Sequence, residues 1–77
     1  MILSDLIKKN FKLSSDTIIK DNHGPGELEG WDSLGHVILM NAIQKNYSIS
    51  IDMDEMIEIE NVSDIKSLLK KKGVSNF

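Results

Sequence analysis

Ser33 stands at the junction between a turn and a strongly apolar run of residues. Asp32 before it is a good helix cap, and the residues that follow can hold a helix from about 33 to 47. With its carboxylate on the N–H of Leu34 or Gly35, Asp32 would fix the direction of the serine, whose hydroxyl would point outward among free backbone N–H groups. Because the positive end of a helix favours a phosphate, this placement predicts a serine that another enzyme can reach and that can then carry a phosphodiester.

Helical periodicity dominates the chain and predicts the elements that must position Ser33. Apolar residues recur every three or four positions in most segments. Ser63 has the character of an N-cap for the last helix, with the apolar Val62 just before it. The pattern predicts an all-α domain with three longer helices and one short helix, at about residues 2–12, 33–47, 54–60 and 64–72.

A long connection of residues 13–31 separates the first two helices. Gly24 and Pro25 mark turns in it, yet it also contains apolar residues, Trp31 among them. Because a long loop in a small domain is more often packed or functional than slack, we expect it to cover the helices, with Trp31 as a packing residue that closes it. Residues 48–52 alternate like a strand but are too few for a sheet, so we expect an extended linker that buries its two isoleucines.

The second helix contains more apolar residues than one buried stripe needs. Leu34 is expected to anchor the start of this helix in the core, in which case Leu34→Ala would cost about 2–5 kcal/mol. The surplus, represented by Val37 and Ile38, would form an exposed apolar patch beside Ser33, and such patches contact partners. His36, one turn after the serine, is expected to be solvated, with contact to the phosphate or to a partner enzyme as the alternative.

Composition excludes several classes of function. A chain of 77 residues with 40% hydrophobic and 27% charged residues is expected to form one globular domain over residues 1–77. The formal charge of −3 and the absence of arginine argue against binding of nucleic acid. No apolar run approaches the length of a membrane span, the N-terminus lacks the pattern of a signal peptide, and cysteine is absent. We therefore expect a cytoplasmic protein without disulfides, and a monomer by default.

Catalytic and metal sites are not indicated by the sequence. Asp32, Ser33 and His36 are the residue types of a hydrolase triad, but three neighbours at one helix start cannot converge around an oxyanion pocket. His23 and His36 lack a third metal ligand. We therefore expect a protein without catalytic activity of its own and without a metal site.

Several short segments of the chain together resemble acyl carrier proteins. In chain order these segments are Gly30-Trp31-Asp32-Ser33-Leu34, Ile49-Ser50-Ile51, Asp54-Glu55-Met56 and Val62-Ser63-Asp64-Ile65. The first is similar to the attachment site of that family, the second to its linker, and the last to the start of its closing helix. The resemblance covers about residues 2–72 and implies a four-helix bundle with a long loop between the first two helices.

The resemblance also implies a cofactor and partners. In this family a 4'-phosphopantetheine group is transferred from coenzyme A onto the serine, and its terminal thiol carries an acyl chain as a thioester. Ser33 would be the covalent attachment residue, and Asp32 would help the transferase to hold Mg²⁺. The implied partners are a phosphopantetheinyl transferase and the enzymes that load and transfer acyl groups. Methionine adapts to irregular contents, so three residues otherwise expected in the core could line a space for the chain: Met40, Met53 and Met56.

The chain departs from the family where acidic residues usually follow the attachment serine. Gly35 and Ile38 occupy these places, and no Asp or Glu occurs between Ser33 and Ile51. Because charge complementarity sets encounter rates and partner choice, we expect a dedicated pathway instead of, or besides, bulk fatty-acid synthesis. The acidic residues lie near the third helix, so the expected partner contacts are His36, Val37, Ile38, Asp54, Glu55 and Glu58.

Two other functions stay open from the sequence. The chain could be an unmodified helical interaction module whose apolar patch docks a partner, although this leaves the Asp-Ser-Leu placement unexplained. It could also be a peptidyl or aminoacyl carrier. Such carriers more often show a glycine-rich lead-in directly before their Asp-Ser, where this chain has Gly30 followed by Trp31, so the pattern favours an acyl carrier.

Overall fold

Four α-helices, and no strands, make up the structure, a computed structural model that describes residues 1–77. In chain order they are α1 (Leu3–Asn10), α2 (Ser33–Tyr47), α3 (Met53–Glu58) and α4 (Val62–Lys71). The all-α fold with a long loop between α1 and α2 is therefore confirmed. None of the four helices is long and apolar enough to span a membrane.

The start of α4 differs from the prediction because a different residue caps it. The side chain of Asn61 accepts the N–H of Asp64 at 2.9 Å, so the helix begins at Val62. Ser63 lies in the first turn, and its prediction as the N-cap is wrong. Val62 is buried as the first helical residue and not as a residue outside the helix.

The ends of α1 and α3 also differ from the predicted bounds. α1 ends at Asn10 because Lys12 takes a left-handed φ of 56°, which lets the N–H of Leu13 reach the carbonyl of Lys8 at 2.8 Å. α3 ends at Glu58 because Ile59 returns to extended backbone and enters the core.

The core lies between α1, α2 and α4, each of which buries one apolar stripe. α3 buries no residue of its own, and it is flanked instead by the buried Ile51 and Ile59. The three stripes, with Trp31 from the long loop, form a single cluster: Leu3, Leu6, Ile7, Leu39, Met40, Ile43, Val62, Ile65 and Leu69. α3 itself therefore adds only the half-buried Met56 to the packing around the core, and this matters for the site described below.

The linker between α2 and α3 is extended, as predicted. Ser48 ends α2 in a left-handed conformation, with a φ of 55°. The side chain of Gln44 then accepts the N–H of Ile51 at 2.9 Å. Ile51 is buried and Ile49 is half-buried, which confirms that the linker buries its isoleucines.

The long loop between α1 and α2 packs against the start of α4. The carbonyls of His23 and Asp21 accept the N–H groups of Val62 and Ser63, both at 2.9 Å, so the loop satisfies two donors that a helix start leaves free. Asp21 also pairs with Lys66 at 2.7 Å. The loop is therefore fixed to the start of α4 through residues that precede Ser33 in the chain.

Candidate functional site

Ser33 is the first residue of α2, and it is exposed. The carboxylate of Asp32 accepts the N–H of Gly35 at 2.7 Å, while the carbonyl of Asp32 accepts the N–H of His36 at 2.8 Å. The predicted cap is therefore confirmed, with Gly35 as the donor. The hydroxyl of Ser33 makes no hydrogen bond within the chain and is free to react.

Gly35 allows the long loop to reach the first turn of α2. Gly30 turns the loop with a φ of 88°, and its carbonyl oxygen lies directly over the α-carbon of Gly35. A β-carbon at Gly35 would collide with this carbonyl and would also lie 3.1 Å from the ring of Phe11. Close backbone packing therefore requires a glycine at this position, where the acyl carrier proteins that the chain resembles usually have an acidic residue.

Gly35→Ala is expected to destabilise the protein, although alanine in a helix is ordinarily favoured over glycine by about 1 kcal/mol. The added methyl group meets the backbone of Gly30, which cannot rotate away as a side chain would. We expect a net loss of about 1–3 kcal/mol in the free energy of unfolding, measured by urea titration. Lys45→Ala, at an exposed position of the same helix, is the control and should lose almost nothing. A more stable Gly35→Ala protein would contradict the close approach.

Trp31 fixes the end of the loop, as predicted for a packing residue. Its side chain is 1% exposed, and its ring stacks on Phe11 with 5.8 Å between centroids. The indole Nε1–H donates to Nδ1 of His36 at 2.9 Å, with the two ring planes 13° apart. Trp31 therefore joins the loop to the first turn of α2, one turn from the candidate serine.

His36 is half-buried and bonded on both sides, so the expectation that it is solvated is wrong. Because Nδ1 accepts from Trp31, the proton of the neutral ring lies on Nε2, which donates to the carbonyl of Met56 at 2.8 Å. Contact with a partner stays a prediction for this residue. Sequence reasoning missed the bond to Met56, because nothing in the local pattern pairs residues that are 20 positions apart.

A groove beside Ser33 runs between α2 and α3. It has a volume of about 340 Å³, and its lining is largely apolar. The lining residues are Pro25, Asp32, Ser33, His36, Val37, Met53, Met56, Ile57 and Ile59. Of the three methionines considered from the sequence, Met53 and Met56 line this groove, whereas Met40 is fully buried in the core.

Leu34 is 70% exposed, so its prediction as a buried anchor of the helix start is wrong. The first turn of α2 places Gly35 against the loop, and this turns Leu34 outward. Val37 and Ile38 are also exposed, as expected, which confirms the apolar patch. Val37, with Met53 and Ile57 of α3, lines the groove beside Ser33 with exposed apolar side chains, whereas Leu34 and Ile38 are exposed on the side of α2 that faces the long loop.

Leu34→Ala is now expected to change the free energy of unfolding by no more than about 0.5 kcal/mol, because the side chain is largely in water. Leu39→Ala, at a fully buried position of the same helix, should cost about 2–5 kcal/mol and serves as the comparison. Urea titration of the two variants and the wild type measures both losses. An equal loss in the two variants would mean that Leu34 is buried in solution.

Of the three acidic residues predicted to contact partners, Asp54 and Glu58 are exposed, whereas Glu55 is used inside the chain. Glu55 and Asp52 form a capping box at the start of α3: each carboxylate accepts the other residue's backbone N–H, at 3.0 and 2.8 Å. Glu55 also pairs with Lys72 at 3.0 Å. The backbone N–H of Asp52, and then Lys72, hold the pKa of Glu55 below its usual value.

Glu55→Gln is expected to reduce the loss of stability in acid. Because folding lowers the pKa of Glu55, its ionised carboxylate stabilises the folded protein. This stability is fully present above the ordinary glutamate pKa of about 4.3. It is lost as the pH falls through the pKa of the folded state. The glutamine keeps an accepting oxygen but cannot ionise. Urea titrations from neutral pH to below pH about 4 should therefore show a flatter profile than the wild type. Glu58→Gln is the control, and parallel profiles for wild type and Glu55→Gln would contradict the pairing.

The site as a whole has the features of a small helical carrier domain. An exposed hydroxyl without an internal partner lies at the start of a rigid, capped helix, where a phosphodiester is electrostatically favoured. The adjacent apolar groove is open to solvent. These residues fit a flexible group that is joined through a phosphate and carries an apolar cargo.

Comparison with known proteins identifies the family. The family model described as "Phosphopantetheine attachment site" matches residues 2–69. The chain therefore belongs to this family, that of the acyl carrier proteins, and its domain is the attachment site of a covalently bound 4'-phosphopantetheine. Carrier domains of this family are generally not catalytic, and they imply interaction with a phosphopantetheinyl transferase and with acyl-handling enzymes. No curated protein matches the chain significantly.

Proposed function

We propose that Ser33 is the attachment residue and that the chain carries an acyl group for a dedicated biosynthetic pathway. The observation that carries the proposal is the exposed, unbonded hydroxyl of Ser33 at the first position of α2, directly after the capping Asp32. No other serine of the chain combines a helix start with a preceding aspartate.

Attachment requires the Ser33 oxygen to reach the diphosphate of coenzyme A. The oxygen forms a bond to phosphorus and loses its proton, while the bond to the adenosine bisphosphate breaks. Asp32 keeps the first turn of α2 in place through Gly35, and its second carboxylate oxygen is available to the transferase and its Mg²⁺. When bound, the phosphopantetheine supplies a terminal thiol that holds the cargo as a thioester.

The charge distribution supports a dedicated pathway. α2 contains no acidic residue, so the side that flanks Ser33 is apolar through Leu34, Val37 and Ile38. Acidic side chains are exposed on α3 instead, at Asp54 and Glu58. Enzymes that recognise an acidic second helix would lack their charge complement here. Normal turnover by housekeeping fatty-acid elongation enzymes would contradict this part of the proposal.

We further propose that residues 1–77 act as a single carrier domain and as a cytoplasmic monomer. One core cluster draws on α1, α2, α4 and the long loop, which supports one folding unit. His36, Val37, Ile38, Asp54 and Glu58 are proposed contacts for partner enzymes. Glu55 is a weaker candidate, because its carboxylate is already bonded to Asp52 and Lys72.

An unmodified interaction module is the second candidate. It is favoured by the cluster of exposed apolar side chains around Ser33, which could dock a partner without any covalent group. A peptidyl or aminoacyl carrier would share the attachment chemistry and differ only in cargo.

The test is the intact mass of the purified chain after incubation with coenzyme A, Mg²⁺ and a broad-specificity phosphopantetheinyl transferase. A gain of one phosphopantetheine, located by peptide mapping at Ser33, is the expected result. No gain by a folded chain, with a transferase that modifies a known carrier in parallel, would favour the unmodified interaction module.

A further inference from the structure

A single hydrogen bond joins α2 directly to α3. It runs from Nε2 of His36 to the carbonyl oxygen of Met56, at 2.8 Å. All other hydrogen bonds of α3 lie within the helix, at its capping box or at Lys72. Because none of the six residues of α3 is fully buried, the helix is held by this bond, by the flanking isoleucines and by Met56, which is half-buried against the core.

The same bond connects the two walls of the groove beside Ser33. His36 lines the groove from α2, and Met56 lines it from α3. The core residues of α2, namely Leu39, Met40 and Ile43, are fully buried and line no part of it. On the side of α2 the groove is therefore a surface feature, and Ile59 is its one buried lining residue.

The size of the groove limits what it can hold. Its volume of about 340 Å³ lies at the low end of the range for small-molecule pockets, about 300–1,000 Å³. A short acyl group fits this space. A long chain would have to separate α3 from α2 to reach more apolar surface, and this would break the bond between His36 and Met56.

We infer that His36 is a positioning residue that holds α3 closed against α2 and so restricts the protected cargo to short acyl groups. The ring is itself held by Trp31, at 2.9 Å, so the loop, α2 and α3 are joined through one side chain. This inference rests on the proposed attachment at Ser33 for its cargo, but not for the closure of α3.

The first experiment uses the chain without any attached group. Hydrogen exchange of amides in residues 53–59 should become about tenfold faster in His36→Ala, while exchange in α1 and α4 stays unchanged. His36→Gln, whose amide can both accept from Trp31 and donate to Met56, should restore most of the protection. Val37→Ala, the neighbouring groove residue, is the matched control. His36→Phe keeps a planar ring and loses both bonds, and it replaces His36→Ala should that protein not fold.

The second experiment compares cargo lengths. The transferase loads the wild type and the His36 variants with the butyryl or the hexadecanoyl form of the arm from the matching acyl-coenzyme A, and thioester cleavage by hydroxylamine is timed. In the wild type, hydroxylamine should cleave the butyryl thioester more slowly than the hexadecanoyl thioester, because only the short group is protected in the groove. His36→Ala or His36→Phe should protect hexadecanoyl by about tenfold, the effect of burying about two methylenes, and leave butyryl unchanged. His36→Gln should behave as the wild type.

The outcomes separate the two proposals. Failure of the wild type to gain mass rejects attachment, while the exchange experiment still decides whether His36 holds α3. Normal loading with hexadecanoyl already protected in the wild type overturns the limit on cargo. Uniformly faster exchange in all four helices of the variants, or no change in residues 53–59, overturns the positioning role.

Discussion

Ser33→Ala is expected to abolish the gain of phosphopantetheine completely, while the free energy of unfolding stays within about 0.5 kcal/mol of the wild type. The hydroxyl oxygen is the proposed nucleophile, so nothing in the variant can form the phosphodiester. Stability should persist because the side chain is exposed, makes no internal hydrogen bond and is not the helix cap. Intact mass after incubation with transferase and a urea titration measure the two effects.

Ser63→Ala provides a matched control for this prediction. Ser63 is also an exposed serine in the first turn of a helix, but Val62 and not an aspartate precedes it. The control should gain the same mass as the wild type. Mass gain by Ser33→Ala, or loss of the gain in Ser63→Ala, would move the attachment residue away from Ser33.

Trp31→Ala is expected to have the largest effect on stability. The indole is buried against Phe11 and is bonded to His36, and truncation of such a residue costs about 3–5 kcal/mol. Because a domain of this size has a total stability of roughly 4–12 kcal/mol, much of the stability would be lost. Urea titration followed by circular dichroism measures the loss.

Trp31→Phe separates the packing of the ring from its hydrogen bond. The smaller ring can still pack against Phe11 but cannot donate to His36, so we expect a loss of about 1–2 kcal/mol. Ile18→Ala is the control for an apolar truncation, since Ile18 is 73% exposed, and it should lose almost nothing. Similar small losses in Trp31→Ala and Ile18→Ala would mean that the loop does not close over the helices as described.

The two predictions depend on one arrangement at the start of α2. Ser33 can stay exposed on a rigid turn because Trp31 and Gly30 of the loop contact the same turn at His36 and Gly35. The loop is in turn fixed to α4 through the carbonyls of Asp21 and His23. Substitutions that loosen the loop should therefore reduce the attachment of phosphopantetheine to Ser33 indirectly, because the first turn of α2 would become disordered.

Much of the site could be predicted from the sequence, because it depends on contacts within one helical turn. The bond from Asp32 to Gly35 spans three residues, and the exposure of Ser33 follows from its place at the helix start. The four helices, their order and the long loop could be predicted for the same reason, since periodicity and turn residues act locally.

The side of α2 that faces the core was decided only by the tertiary structure. Apolar residues lie nearly all round this helix, so its periodicity could not show that Leu39 and Ile43 are buried while Leu34 is exposed. The loop contact at Gly35 fixes the rotation of the helix. The failure of the prediction for Leu34 has this physical cause.

By itself, then, the sequence determined the helices, the capped serine and the membership of a carrier family. The helices and the cap depend on residues close together in the chain, and the family membership depends on several short segments taken together. The tertiary structure alone decided that His36 joins Trp31 to the carbonyl of Met56 and that Glu55 joins α3 to Lys72. Met56 lies 20 positions from His36, and Lys72 lies 17 positions from Glu55. Backbone carbonyls, which every residue has, also leave no signal in a sequence.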